Sequence, residues 1–125
     1  MKKYRFFECQ VCGTAAELLY ESDGNLVCCG EEMKELEAGT TDAAKEKHVP
    51  EVKSEGNEVK VQVGSVPHPM EDDHYIVLIT CVQGNKVQRV DLNPGEEPKA
   101  SFTVEDGPCE IYEYCNKHGL WKTEA

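Results

Sequence analysis

Residues 74–81 read HYIVLITC, an apolar run rich in β-branched residues, too short for a helix and far too short for a membrane span. It reads as a strand, and its neighbours repeat the signal. VKVQV (59–63) alternates cleanly, and KVQRVDL (86–92) follows the turn signal GN. KASFTV (99–104) and CEIYEYC (109–115) come next, with loops at PGEEP and EDGP. Short strands at this spacing predict an antiparallel β-sandwich of immunoglobulin-like type over residues 38–125. No helical period of useful length follows residue 47. The segment TTDAAKEKHVP, closed by Pro50, is expected to be a connecting loop rather than a helical turn.

Residues 1–37 have another character. Short stretches (YRFFE, AELLYE, NLVCC) are broken by Gly13, by the turn SDGN and by Gly30, which predicts small strands and tight turns. Fewer than about 40 residues cannot bury enough surface to fold unaided, so a metal, disulfides or oligomerisation must supply the rest. The expectation is an all-β chain in two domains, 1–37 and 38–125.

The 125 residues carry 13 Lys and Arg against 24 Asp and Glu, a net charge of −11 with no basic stripe. That argues against nucleic acid, whose phosphates require clustered cations. No apolar run reaches the ~20 residues of a membrane helix, and MKKYRFFECQ lacks the apolar stretch and cleavage site of a secretory signal. A cytoplasmic protein is expected, in which seven cysteines point to metal ligation before disulfides.

Cys9-x2-Cys12 and Cys28-Cys29 offer four thiols. A tetrahedral set of thiolates selects zinc or a single iron, and spacing leaves both open, with a vicinal disulfide as the remaining alternative. Adjacent side chains of an extended segment point apart, so the backbone at Cys28-Cys29 must turn sharply, helped by Gly30. The four histidines, His48, His68, His74 and His118, lie in EKHVP, PHPMEDDH and CNKHG, the last behind Cys115. Four imidazoles and one thiolate are too many for tetrahedral zinc. They fit an iron with nitrogens in a plane, sulfur on the axis and a sixth position open, where the thiolate pushes electron density onto whatever binds opposite.

CxxC…CCGxxM, EKHVP, HPMxxxH and CNxHGxW, in this order over nearly the whole chain, resemble the desulfoferrodoxins, two-iron superoxide reductases. The first part is similar to desulforedoxin and the second to neelaredoxin. The resemblance implies two irons and no haem, one iron held by Cys9, Cys12, Cys28 and Cys29 and one by His48, His68, His74, His118 and Cys115. It further implies reduction of superoxide to hydrogen peroxide, a rubredoxin-like electron donor and a homodimer. Lys47 would present positive charge to the incoming anion. Glu46 is similar to the family glutamate that takes the sixth position once iron is ferric. The chain departs from the pattern at Glu71-Asp72-Asp73, where relatives often carry a lysine before the histidine, so the rim is more acidic here.

Other residues have plainer expectations. Cys81 and Cys109 read as buried free thiols. Glu113 shares a strand face with Cys115 and is open to two readings, a supporting residue or a solvated edge residue. Tyr112 and Tyr114 belong to the opposite face, and Trp121 to the end of the sandwich. Two other functions fit parts of the pattern. A pure electron carrier gains nothing from an open position beside Lys47, and a zinc-stapled binding module leaves four histidines unused.

Overall fold

The computed structural model describes residues 4–41 and 43–125; Lys2, Lys3 and Asp42, used above in reading the N-terminus and the TTDAAKEKHVP segment, lie outside them. In the first part β1 (Phe6–Glu8), β2 (Ala15–Glu17), β3 (Val27–Cys28), β4 (Glu31–Glu32) and β5 (Lys34–Glu35) follow in order. A helical turn α1 (Lys45–His48) leads into β6 (Pro50–Glu55), β7 (Glu58–Val63), β8 (Ile76–Gln83), β9 (Lys86–Asp91), β10 (Lys99–Thr103), β11 (Glu110–Cys115) and β12 (Gly119–Glu124). The chain separates into two compact units, one ending at Glu37 and one spanning Ala38–Ala125.

The small unit is built of fragments. β1 lies between β2 and β5, while β3 and β4 form a two-residue ladder of their own. Its buried apolar residues are Tyr4, Phe6 and Cys9 among the described residues. Arg5 grips the Glu35 carboxylate with both arms at 2.9 Å and also reaches Glu21. Such exposed pairs contribute little stability. A core of this size cannot offset the entropy of ordering the chain, so the fold needs its cysteines bridged by something.

The larger unit is an immunoglobulin-like antiparallel sandwich of one three-stranded sheet, β10-β7-β6, and one four-stranded sheet, β12-β11-β8-β9. In β7 the odd residues Val59, Val61 and Val63 point inward and meet Ile79 and Cys81 of β8, Ile111 of β11 and Phe102 of β10. The uninterrupted run in HYIVLITC is explained by position: β8 is an inner strand with buried residues on both faces.

Three features depart from the expectations. PEVKSE and GLWKTE form strands β6 and β12 that alternation alone did not flag. Both are edge strands, where half the residues face water and Pro50 is tolerated at the first position. Residues 45–48 form a helical turn rather than a loop, without a side-chain cap. This turn rests on Gly64, where a Cβ would stand 2.7 Å from the Glu46 carbonyl oxygen and 2.9 Å from that of Val49. Finally, Glu113 is not an edge residue. It is fully buried, beside Trp121 and Ile79 on the neighbouring strands.

Candidate metal centres

The four cysteines of the small unit meet. Gly13 N–H donates to the Cys9 carbonyl at 3.0 Å, folding the Cys-x2-Cys turn, and Cys12 N–H points at Cys9 Sγ from 3.4 Å. Cys12 Sγ lies 3.6 Å from Cys28 Sγ, which is 3.9 Å from Cys29 Sγ. The sharp turn expected at the vicinal pair is present, since Cys29 and Gly30 both adopt left-handed φ values of 54° and 74°. Among the described residues Cys29 is the one non-glycine in that region. Strain of this kind persists only where the surroundings demand it, and here it turns two adjacent sulfurs toward one point. Hydrogen bonds from Thr14 bring the Cys12 thiol down to about 6, toward the thiolate a metal requires.

The second cluster draws on three places in the sandwich. His48 ends α1, His68 and His74 lie on the connection from β7 to β8, and Cys115 and His118 stand on the hairpin between β11 and β12. The rings close a circuit: His48–His68, His68–His74, His74–His118 and His118–His48 have centroids 4.6–5.0 Å apart and planes 74–88° from each other. Each of the five residues offers one donor atom, and these atoms lie within 4.8 Å of one another.

Hydrogen bonds fix which nitrogen is offered. His48 Nδ1 is 2.7 Å from the Ala44 carbonyl and His68 Nδ1 is 2.6 Å from that of Pro69. A carbonyl only accepts, so both Nδ1 atoms carry the proton and both Nε2 lone pairs face inward, 3.1 Å apart. His118 Nδ1 sits 3.0 Å from His48 Nε2, and His74 Nε2 is buried without a partner among the described residues. Burial pushes the His48 and His74 imidazoles below their ordinary range and takes His68 to about 4, so these rings are neutral lone-pair donors at pH 7.

Cys115 Sγ joins the rings, 3.5 Å from His68 Nε2 and 3.9 Å from His118 Nδ1. Burial raises its thiol to about 11, while amide hydrogen bonds from Lys117 and His118 pull the other way. Converging ring nitrogens with a sulfur beside them are an arrangement that a cation completes. The Trp121 ring stacks on His48 at 5.0 Å, and its Nε1–H donates to the His118 carbonyl at 2.9 Å, locking two ligands with one side chain.

The donor sets fit two irons, one Fe(Cys)4 and one Fe(His)4Cys, and four imidazoles exceed what tetrahedral zinc accepts. Glu46 and Lys47 are exposed on α1 beside His48, and Glu71, Asp72 and Asp73 are exposed along the His74 loop. Sequence reading missed two contributors, Gly64 beneath α1 and Asn116 beside Cys115. The resemblance pattern CNxHG contains Asn116, but nothing in the spacing told what it touches.

Fold and donors together define a class: a non-haem protein with two metal centres, one all-thiolate and one histidine-rich. The desulfoferrodoxin profile matches residues 40–124 and that of the desulfoferrodoxin N-terminal domain residues 1–36. A desulfoferrodoxin homolog of Archaeoglobus fulgidus is 50% identical over 117 residues, 94% of each chain. The desulfoferrodoxin of Nitratidesulfovibrio vulgaris is 46% identical over 123 residues, 98% of each. The structure of the superoxide reductase from Treponema pallidum superposes with a TM-score of 0.76 at 34% identity, covering 98% of this chain and 99% of that one. This chain belongs to the desulfoferrodoxin family.

Proposed function

We propose that this chain is a superoxide reductase, catalysing O2•− + e− + 2 H+ → H2O2 at the His48, His68, His74, His118, Cys115 centre. The observation that carries the reading is the closed circuit of four imidazoles beside a buried thiol. Family membership and the neighbouring superoxide reductase structure support it. Iron held by these five residues would supply the electron and a Lewis-acidic site for the anion.

The chain's own residues set the conditions. His48 and His68 are held in one tautomer by carbonyls, so no proton competes for the inward lone pairs. Cys115 is wholly buried, so its sulfur is kept from water and, as a thiolate, would make the bound metal more electron-rich. Lys47, exposed on α1, draws the anion toward a surface that is otherwise acidic. Glu46, whose backbone carbonyl is held by Val66 N–H at 2.9 Å, is assigned as the carboxylate that would ligate the metal in its oxidised form.

The same reading makes residues 1–37 an Fe(Cys)4 domain and 38–125 the reducing domain. It assigns electrons to a small rubredoxin-like carrier and the role to removal of superoxide by a cytoplasmic homodimer. Among the described residues no helix is long and apolar enough to cross a membrane.

Metal analysis, an optical spectrum and pulse radiolysis of the purified protein test this. Two irons per chain, thiolate-to-iron charge-transfer colour and one peroxide per superoxide are expected. A colourless zinc protein, or two irons that cycle without consuming superoxide, would overturn it.

A further inference from the structure

The rings of His48 and His68 are oriented by carbonyls, but among the described residues no carbonyl holds His74 Nδ1. The placement of His74 therefore depends on its backbone. Locally that backbone is a narrow turn in which Glu71 and His74 exchange amide bonds of 2.9 and 3.2 Å, on an exposed acidic loop. One residue outside the loop ties it down. Asn116 Oδ1 accepts from Tyr75 N–H at 3.0 Å, and Asn116 Nδ2 donates to the Asp73 carbonyl at 3.0 Å. Its own N–H reaches the Tyr75 carbonyl at 3.3 Å. The peptide groups on both sides of His74 are thus clasped by one amide that follows Cys115 directly in the chain.

We propose that Asn116 is the positioning residue for His74, fixing that ring relative to the sulfur of Cys115; this rests on reading His74 as an iron ligand. The chemistry asks for an asparagine. At this reach one group must accept from an N–H and donate to a C=O, which a carboxylamide does and a carboxylate does not. The other link between the segments, Lys117 Nζ to Asp73 Oδ2, is 3.9 Å long with both side chains at least half exposed, too weak to substitute.

The test uses the full-length, iron-loaded protein and four variants: Asn116→Ala, Asn116→Asp, Lys117→Ala and His74→Ala. Three quantities are read: the ferric electron paramagnetic resonance of the histidine centre, the rate of iron loss from it to a chelator after reduction, and deuterium exchange at Tyr75 N–H. Asn116→Ala should lose iron roughly tenfold faster, the usual scale for removing a group that orients a ligand. Its spectrum should move toward that of His74→Ala, and Tyr75 N–H should exchange faster. Asn116→Asp, keeping the acceptor alone, should fall between, and Lys117→Ala should match the wild type. If His74→Ala shifts the spectrum while Asn116→Ala leaves spectrum and iron loss unchanged, the positioning role is overturned with the ligand reading intact. If His74→Ala itself leaves the spectrum untouched, the ligand reading fails and the proposal with it.

Discussion

In the small unit four sulfurs from two short segments, Cys9 to Cys29, gather around one point in a module whose buried apolar residues are Tyr4, Phe6 and Cys9. In the sandwich five donors come from segments as far apart as His48 and His118, seventy residues, above a core running from Val59 to Cys115. The first centre is local, with Cys12 and Cys29 exposed; the second is long-range, with Cys115, His48 and His68 buried. The contrast teaches that a metal can serve a fold in opposite ways. In the small unit it replaces a core that the chain is too short to build. In the sandwich the core exists already, and the metal is seated by a structure that stands without it.

The largest effect should come at the sulfur. Cys115→Ser puts a harder, less donating oxygen under the four imidazoles, and pulse radiolysis should show peroxide formation reduced by a hundredfold or more. Thermal unfolding should show the sandwich still folded, destabilised by about 1–3 kcal/mol for one buried hydroxyl. Near-normal turnover would remove the proposed role of the thiolate.

Acid should separate fold from site next. Burial lowers the folded-state His68 to about 4 and also depresses His48 and His74, against an ordinary value near 6.5. Below 6.5 the unfolded chain binds protons that the folded chain refuses, so this contribution is full above pH 6.5 and is lost as pH falls toward 4. The melting temperature of metal-free protein should drop across that window, and a flat profile would mean that the rings are not held neutral by burial.

Lys47→Ala probes the approach of substrate. With a net charge of −11 opposing a small anion, loss of one nearby cation should slow second-order capture about tenfold and change its salt dependence, while the iron spectrum stays the same. Superimposable rate curves against ionic strength would leave Lys47 no part in guidance. The smallest effect on activity is expected for Cys12→Ser, because the donor sets share no residue. Residues 1–37 should become protease-sensitive and lose their metal, with superoxide reduction within about twofold of wild type. Loss of most activity with the second iron still bound would break the division between the regions.

Much of this was legible because ligands and inner strands announce themselves by residue type. HYIVLITC, VKVQV and the nine metal-binding candidates are all marked by residue type, and the structure gathers the donors into two clusters. What escaped depends on contacts between distant segments. The turn at Lys45–His48 is too short to show a period, and it is seated by Gly64 and Val66 from another part of the chain. The face shared by Glu113 and Cys115 was readable, but alternation cannot tell which face lies inside. Glu113 is buried with neither oxygen partnered among the described residues, its carboxyl pushed well above the usual range by burial. Asn116 was hidden for the same reason, since its partners lie 41 and 43 residues away.

Cys109 lies six residues of strand, roughly 20 Å, from Cys115, and Cys81, opposite Ile111, lies about four, roughly 13 Å, along the same sheet. They are 1% and 2% exposed, and burial pushes the Cys81 thiol up to about 12. Peroxide oxidises thiolates, not thiols, so a protein that releases peroxide at every turnover carries both spare sulfurs sealed from solvent, and Cys81 protonated as well. Chemical ageing will begin instead at the exposed Cys12, whose thiol is brought down to about 6, and the working lifetime of the molecule will be written in its N-terminal unit.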